Sequence, residues 1–363
     1  MCGIGGIYNL NKQPVNMDLL LKMTRIIKHR GPDDEGFLSI NTHSGIIDSL
    51  FHDDTIYPIK SKTKYLNKVV PGNLSFGFRR LAVLDLTESG HQPMSNEDKS
   101  IWIVFNGEVF NYIELREDLK KLGYRFKSKS DTEVVIRAYE QWGEECLNYF
   151  NGMWAFALWD NNKKKLFCAR DRFGIKPFYY YWEKKQFVFG SEIKQLLVHN
   201  IPRNLNERMV FKSIKLNSFL IYGDETYFDN IHILPHSHYL TIENGTLSIN
   251  RYYDLYPSSF ETANLSFNDA VDSYSKLFED AVKIRMRSDV EVGSCLSGGL
   301  DSSAIVTTAA KHNNDKPFKT FSAFNDEGLL YDERKWINIV NGFIGAQPHL
   351  VEPNPQDFQN DFG

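Results

Sequence analysis

The sequence predicts an α+β domain followed by an α/β domain, and three observations carry that expectation. The first 200 residues alternate short apolar strand patterns with only a few convincing helices. After about residue 262 the order becomes helix, apolar strand, glycine turn, helix, strand, helix. A βαβα succession of this kind implies a parallel sheet. A length of 363 residues accommodates two domains. The expected boundaries are 1–200, a connecting segment with short strands over 201–262, and a second domain over 263–363.

The elements follow in order. "CGIGGIYNL" reads as a glycine-rich strand, and "NMDLLLKMTRIIKHRG" as a helix with apolar spacing from Leu19 to Ile27, stopped at Gly31-Pro32. "FGFRRLAVLDL" and "SIWIVFNGEVFN" read as strands, the second turning at Asn106-Gly107. "NYIELREDLKKLGY" is an amphipathic helix ended by Gly123. "DTEVVIRAYEQWGEECLNYFNG" is another, with Asp131 or Thr132 as its N-cap. "MWAFALWD", "KLFCARD" and "PFYYYWEKKQFVFGSE" read as two strands and a hairpin, and hairpin patterns recur between 227 and 255. Beyond them lie the long amphipathic helix "NDAVDSYSKLFEDAVKIRMR", the strand–turn–helix "VEVGSCLSGGLDSSAIVTTAAKH", a strand at "KTFSAFND" and a helix at "YDERKWINIVNGFIG".

Composition narrows the function classes. Hydrophobic content is 42%, charged content 24% and net charge −4, an ordinary globular balance with no bulk case for a nucleic-acid partner. Four cysteines, Cys2, Cys146, Cys168 and Cys295, stand far apart without a C-x-x-C pair. This disfavours a zinc site or disulfide framework and fits a reducing, cytoplasmic setting. No stretch approaches the roughly 18 apolar residues of a membrane span, so no membrane association is expected.

Two stretches carry chemistry. In "CLSGGLDSSAIV" a strand meets a helix through Ser297, Gly298 and Gly299. Paired glycines let the backbone approach an anion, and free N–H groups at the helix start point at phosphate oxygens. Ser297, Ser302 and Ser303 add hydroxyl donors. Asp301 would repel phosphate directly, so its useful role is to hold Mg²⁺. The plainer alternative is a tight turn capped by Asp301 or Ser302. The loop lacks the G-K-[ST] of a Walker A motif. The full S-G-G-L-D-S-S resembles the pyrophosphate loop of the ATP pyrophosphatases, which cleave ATP to AMP and pyrophosphate.

The second stretch is the beginning, "MCGIGGIY". Loss of Met1 would leave Cys2 with a thiol and a free α-amine on one residue. A thiol reacts as thiolate. An α-amine with a pKa of about 7.7–8 can accept a proton near neutrality. The motifs "MCGIGGIY", "HRGPDDEG", "RRLAVLDL", "GHQPM", "NGEVFNYIELR", "SDTEVV", "GMWAFALWD", "RDRFGIKPFYY" and "GSEIK" occur in the order seen in class II glutamine amidotransferases. Joined to the S-G-G-L-D-S-S domain, the chain resembles the glutamine-hydrolysing asparagine synthetases over nearly its whole length.

That resemblance implies an N-terminal nucleophile hydrolase fold, a four-layer αββα sandwich, followed by an incomplete parallel-sheet PP-loop domain. It implies that Cys2 attacks the glutamine amide and forms a thioester. Asn106 and Gly107 match the oxyanion hole, which suits a glycine turn. Arg80 matches the arginine that pairs with the glutamine α-carboxylate, with Arg79 as the alternative. Glu108 lines the substrate site, and Asp131 matches the acid that holds the α-ammonium. His29 and Arg30 are expected to order the nearby loop. Leu296 and Ala323 lie where related chains contact the nucleotide. The implied cofactors are ATP and Mg²⁺, with the metal at Asp301. The implied substrates are glutamine, aspartate and ATP, reacting through β-aspartyl-AMP, and a homodimer stays open.

Three departures qualify the resemblance. Residues 38–75 insert a segment that the family crosses in far fewer residues, expected to be a surface loop or interface. "LPHSHYL" replaces L-P-P-G-H-x-L. The related chains continue to a second glycine-rich loop with an Asp-Glu pair beyond the point where Gly363 ends this sequence. The chain by itself is therefore expected to hydrolyse glutamine only. The alternatives are a related amidotransferase acting on a sugar acid or peptide carboxylate, and a non-catalytic fragment.

Overall fold

The computed structural model describes residues 1–217, 223–255, 265–313, 317–324, 332–354, 356 and 359–360, with the side chain of Lys68 outside that description. The chain divides into two compact units, Met1–Tyr256 and Pro257–Gly363.

In the first unit, alternation along each strand builds two sheets whose apolar faces meet. One sheet holds β1 (Gly3–Asn9), β2 (Asp34–Ile40), β3 (Ile47–Phe51), β4 (Lys64–Tyr65), β5 (Leu74–Arg80), β10 (Tyr179–Glu183), β11 (Gln186–Gly190) and β12 (His232–Ile233), in the order β12-β10-β11-β1-β5-β2-β3-β4. The other holds β6 (Met94–Ser95), β7 (Ile101–Val109), β8 (Gly152–Asp160), β9 (Lys165–Arg170), β13 (His238–Glu243) and β14 (Thr246–Arg251), in the order β14-β13-β9-β8-β7-β6. Even-numbered residues of β1 and β5 (Ile4, Phe76, Phe78) meet Trp102, Val104, Ala155, Ala157 and Trp159 in the core between the sheets.

The outer faces are also apolar and are covered by helices. Leu20 and Met23 of α1 (Met17–Arg25) and Leu196 of α5 (Ile193–Leu197) cover Ile7, Phe37 and Val188 of the first sheet. Leu115 and Leu119 of α3 (Tyr112–Lys121), with Val134, Val135 and Ala138 of α4 (Asp131–Trp142), cover Ile103, Phe105 and Phe156 of the second. The result is the helix–sheet–sheet–helix layering implied by the sequence motifs.

Several elements differ from the sequence reading. β7 does not turn at Asn106-Gly107. It runs straight through to Val109, paired throughout with β8 and with Gly107 opposite Trp154. A Cβ on Gly107 would stand 2.4 Å from the Met153 carbonyl oxygen and 2.7 Å from Trp154 Cα. The glycine therefore serves the close approach of two strands, not a turn. The N-cap of α4 is Ser130, whose hydroxyl accepts from the Thr132 N–H, and not Asp131 or Thr132. That helix breaks at Gly143 (φ 59°) into a short 3-10 segment.

Residues 38–75 are not simply a surface loop. They close β2, add β3, α2 (Tyr57–Lys60) and β4, and so extend the first sheet by two strands at its edge. The same segment delivers Asp54 to the buried Arg79, which also pairs with Glu35.

The 201–262 region is likewise more than a connector. After α6 (Glu207–Leu216), β12 pairs with β10 and β13 pairs with β9, because the apolar side chains Ile233, Leu240 and Ile242 complete the sheets of the first unit. In "LPHSHYL" Ser237 takes the left-handed conformation (φ 63°) at the place of the family's glycine. Its hydroxyl donates to the Arg172 carbonyl at 2.8 Å, which offsets part of the strain.

The second unit begins with α7 (Phe267–Arg285). Three strands, β15 (Gly293–Cys295), β16 (Lys319–Ala323) and β17 (Gln347–Val351), form a parallel sheet in that order, with α8 (Leu300–Lys311) and α9 (Arg334–Ile344) as the crossovers. Its small core joins Val282, Leu296, Val306, Ala309, Phe318 and Ile337. β17 is a strand that the sequence pattern did not announce. The expected matches at "NDEG" and the first residue of "YDERKW" fall in 325–331, outside the described residues. Among the described residues no helix is long and apolar enough to cross a membrane.

Candidate active site

One pocket of about 200 Å³ is lined by Met1, Cys2, Arg80, Leu81, Asn106, Gly107, Glu108, Asp131, Met153 and Lys176, among others. Strand parity explains why these residues meet. In β1 and β5 the even-numbered side chains face the opposing sheet, as Ile4, Phe76 and Phe78 do. Arg80 continues that face at the end of β5, and Cys2, one residue before β1, packs against the same core. In β7 the even-numbered Trp102 and Val104 face the same core, which places Asn106 and Glu108 on that face at the strand's end. The site is where apolar inter-sheet packing gives way to polar side chains.

The second parity, that of the ladder, sets the backbone donors. Phe110 N–H donates to Asn151 and Asn161 N–H to Ser100, so even-numbered residues of β7 exchange bonds with β8. Odd-numbered N–H groups turn the other way. Phe105 donates to Gln92 Oε1 at 2.6 Å and Val109 to Asp131 Oδ2 at 2.9 Å. Gly107 N–H lies between them on that side, beyond the reach of the short β6. Asn106 is 1% exposed, and its Nδ2 has no hydrogen-bond partner. A buried donor left unpaired costs on the order of 1–3 kcal/mol, and this one lies in the pocket lining, where an acceptor on a ligand can reach it.

The two arginines divide cleanly. Arg79 is fully buried and faces away from the pocket, bonded to Glu35, Asp54 and the Gly31 carbonyl. Arg80 lines the pocket, and its guanidinium donates to the carbonyls of Thr87, Leu84 and Asp85. Those three bonds fix its plane and leave two of its five N–H groups for an anion. The expected strand through "RRLAVLDL" stops at Arg80 because these carbonyls curl around the side chain.

Burial shifts the Cys2 thiol and the two carboxyls of the pocket. Burial pushes the Cys2 thiol up, against the Leu81 backbone hydrogen bond, the Met1 α-amine and Arg80, which pull it down. The Cys2 Sγ accepts from Leu81 N–H at 3.4 Å and stands 3.5 Å from the Leu81 carbonyl oxygen. Burial raises Glu108, with Lys176 opposing. Asp131 is pushed up to about 7 by burial, relieved by the Val109 N–H and worsened by Glu108. With Ser130 acting as the cap, Asp131 is free of that duty. Lys176 was not foreseen from the sequence. Its signal was the R-D-x-x-G-x-K pattern in "RDRFGIKPFYY", where an acid and an arginine can clamp one turn.

His29 and Arg30 both reach Glu192, the former at 2.8 Å, and so tie the 3-10 turn Lys28–Arg30 to the start of α5.

The second unit presents the other predicted cluster. Gly298 sits between β15 and α8 with φ 87°, and a Cβ there would stand 3.1 Å from the Glu333 carbonyl oxygen. Ser297 Oγ accepts from Gly299 N–H at 3.3 Å and lies 3.0 Å from Ser302 Oγ. The start of α8 has no side-chain cap, so its first N–H groups face outward unclaimed by a side chain. Asp301 and Ser297 are exposed, and Ala323 ends β16 at the carboxyl edge of the sheet. Leu296 differs. Its side chain is core, its N–H donates to Phe321 and its carbonyl accepts from Ser322 Oγ. Any contact it makes with a ligand falls to its backbone. An uncapped helix start behind a positive-φ glycine fits phosphate. Asp301 is the loop's single carboxylate, and among the described residues no group of three His, Cys, Asp or Glu could hold a metal. A cation there would take its remaining ligands from phosphate oxygens.

Comparison with known proteins agrees with this division. Residues 65–253 match the family described as glutamine amidotransferase domain, and residues 273–362 match asparagine synthase. A protein of Methanocaldococcus jannaschii named as asparagine synthetase (glutamine-hydrolyzing) 2 is 37% identical over 99% of this chain and 66% of its own length. Asparagine synthetase (glutamine-hydrolyzing) 1 of Bacillus subtilis is 35% identical over 99% of this chain and 51% of its own length. The chain thus spans about half to two thirds of these relatives. Glutamine phosphoribosylpyrophosphate amidotransferase of B. subtilis shares the fold, with a TM-score of 0.51 at 15% identity over 96% of this chain and 81% of its own.

Proposed function

Because the chain belongs to the glutamine amidotransferase family, with an asparagine synthase domain behind the amidotransferase domain, we propose that its first unit hydrolyses glutamine at Cys2 and releases ammonia for an ATP-dependent amidation of aspartate. The observation that carries the glutaminase reading is the pair of donors beside the thiol. Asn106 Nδ2 is buried and unpartnered, and Gly107 N–H faces the same pocket.

With Met1 removed, the Cys2 α-amine takes the thiol proton. The thiolate attacks the side-chain amide carbon, an S–C bond forms, and the carbonyl electrons move onto oxygen. Asn106 Nδ2 and Gly107 N–H donate to that oxygen, a contribution worth about 10²–10³ in rate for one such donor. Collapse breaks the C–N bond. The protonated amine returns its proton to the leaving nitrogen, giving ammonia and a thioester. Water then cleaves the thioester to glutamate and regenerates the thiol. Arg80 pairs with the substrate α-carboxylate and Asp131 with its α-ammonium, while Glu108 accepts from the amide NH₂.

In the second unit the S-G-G loop and the uncapped start of α8 would cradle the phosphates of ATP, and Asp301 would hold Mg²⁺, which neutralises phosphate charge. Aspartate's side-chain carboxylate then displaces pyrophosphate from the α-phosphorus, and ammonia displaces AMP from the β-aspartyl-AMP. The 363 residues carry every named glutaminase residue and the S-G-G loop of the nucleotide site. Four free cysteines, two of them buried in apolar cores, support a cytoplasmic setting.

The test is glutamate release by the purified chain and by its Cys2→Ala variant, with the intact mass reporting Met1. Loss of activity in the variant is expected, and equal rates would overturn the reading.

A further inference from the structure

We infer that Lys176 is a positioning residue of the glutaminase pocket, a fixed cation that keeps the Cys2 α-amine neutral until it takes the thiol proton and then favours the thiolate so formed. The inference rests on the glutaminase reading above.

The geometry is that of a clamped loop. Lys176 lies between β9 and β10, in the turn that opens with Arg170 and Asp171. Asp171 is fully buried. One of its oxygens accepts from Phe173 and Ile175 N–H, each at 3.0 Å, and the other from Lys176 N–H at 2.9 Å and Trp154 N–H at 3.2 Å. From the other side, Arg170 Nε donates to the Lys176 carbonyl at 2.8 Å and Nη2 to the Gly174 carbonyl at 2.6 Å. Both backbone groups of Lys176 are thus held by buried or half-buried charges. The lysine is 5% exposed and lines the same pocket as Cys2 and Glu108. A lysine placed at random on a turn keeps its ammonium in water. This one is turned inward by a turn that cannot relax.

Its charge fills a deficit. The acids lining the pocket are Glu108 and Asp131, and both favour a protonated amine and an unionised thiol. Arg80 opposes them but is bound to three carbonyls and reserved for the substrate carboxylate. Asp33 also faces the chain's amine, Asp171 faces Lys176, and Arg30 faces both. Without Lys176 the acids outweigh the cations around Cys2. With Met1 in place, burial and the neighbouring Lys176 both push the Met1 α-amine below its ordinary value, and burial lowers Lys176 itself against the pull of Glu108 and Cys2; removal of Met1 moves the amine onto Cys2, which lines the same pocket as Lys176. A base that is neutral near pH 7, and a fixed cation beside the thiolate that base creates, are what an N-terminal nucleophile requires.

Lys176→Met, similar in volume and uncharged, tests this in the full chain. The acid limb of kcat/KM for glutamine should move up by about one pH unit, as expected for removing one nearby charge in a site of intermediate dielectric. The rate of Cys2 alkylation by iodoacetamide, read by peptide mass spectrometry to separate it from the exposed Cys295, should shift in the same direction. Lys176→Arg should restore both profiles. Should the Met variant not fold, Lys176→Gln carries the same reading. Superimposable pH profiles for Lys176→Met or Gln and the parent, whatever the change in KM, would overturn the inference. Cys2→Ala in the same assay separates the two claims. Activity retained there sinks the glutaminase reading, whereas activity lost there with unmoved profiles at position 176 sinks only the role of Lys176.

Discussion

Asp131→Asn should have opposite effects on stability and on glutamine use. The carboxyl is buried at the first turn of α4, accepts from Val109 N–H at 2.9 Å, and is pushed up from 3.8 to about 7 by burial, with Glu108 adding to the shift. The folded-state value lies above the unfolded one. The stability it contributes is therefore fully present below pH 3.8 and lost as pH rises through about 7. A shift of about three units corresponds to a ceiling of about 4 kcal/mol against the charged form. The asparagine keeps an acceptor for Val109 and carries no charge. Because Ser130 is the cap, the substitution costs no capping bond. The variant should thus be more stable than the parent at pH 8 by a few kcal/mol, and the gain should shrink as pH falls toward 5. Its kcat/KM for glutamine should fall, since losing one partner of a buried charge pair costs about 2–5 kcal/mol, and most of the loss should appear in KM. The deficit should narrow below pH 7, where the parent's own carboxyl is protonated. Urea unfolding at pH 5, 6.5 and 8, beside glutamate-release kinetics at the same pH values, reads both signs. A variant that is less stable at pH 8 with an unchanged KM would refute the reasoning.

Three further outcomes are expected. Asn106→Ala removes a donor that has no partner in the resting protein, so kcat should drop by about 10²–10³ while the unfolding midpoint stays near the parent's or rises; a large loss of stability without loss of kcat would contradict this. Glu35→Ala leaves Arg79, which is 0% exposed, with only the partly exposed Asp54 as ionic partner, and denaturant unfolding should show a loss of about 3–5 kcal/mol. Gly298→Ala forces a side chain into a left-handed turn (φ 87°) 3.1 Å from the Glu333 carbonyl oxygen; a cost of about 1–2 kcal/mol is expected for the conformation. It should show as faster amide exchange confined to α8 and its preceding loop, and unchanged exchange there would count against the loop's strain.

What the sequence made legible was whatever local pattern and chemistry decide. Alternation announced β1, β8, β9 and the β10–β11 hairpin, and apolar spacing announced α1, α3, α4 and α7. The residues singled out as a glutamine site, Cys2, Arg80, Asn106, Glu108 and Asp131, come from four separate stretches, and the fold gathers them at one end of the inter-sheet core. What stayed hidden was decided by distant partners. Asn-Gly is a strong hairpin signal, yet β8 lies so close along Asn106 and Gly107 that the dipeptide stays extended. The 38–75 insertion has no strong strand pattern of its own; β3 is fixed by pairing with β2, and Asp54 by its charge partner Arg79. The hairpin pattern of 227–255 announced strands there but not the sheets they join: the two-residue β12 is fixed by β10, and β13 by β9. Lys176 is invisible to periodicity altogether. Its placement follows from the clamp of Arg170 and Asp171 on one turn.

The mismatches left in the resting pocket share one sense. Asn106 holds a donor with nothing to receive it, Asp131 and Glu108 are carboxyls pushed toward neutrality, and Lys176 is an ammonium pushed the same way. Each costs stability in the empty protein, and the fold supports that cost with apolar cores on both faces of both sheets. In the proposed reading, a zwitterionic amino acid with a side-chain amide would reverse the mismatches at Asp131, Glu108 and Asn106. Its ammonium would restore the charge of Asp131, its amide nitrogen would give Glu108 a donor, and its carbonyl oxygen, once negative, would satisfy Asn106 and Gly107 together. An apolar ligand, or an amino acid lacking the amide, would leave at least one of these groups unpaired. The selectivity of such a site comes from groups that the protein itself leaves unsatisfied. Gly107 makes this possible without a turn, because the odd-numbered N–H groups of β7 point away from β8 and β6 is too short to reach this one.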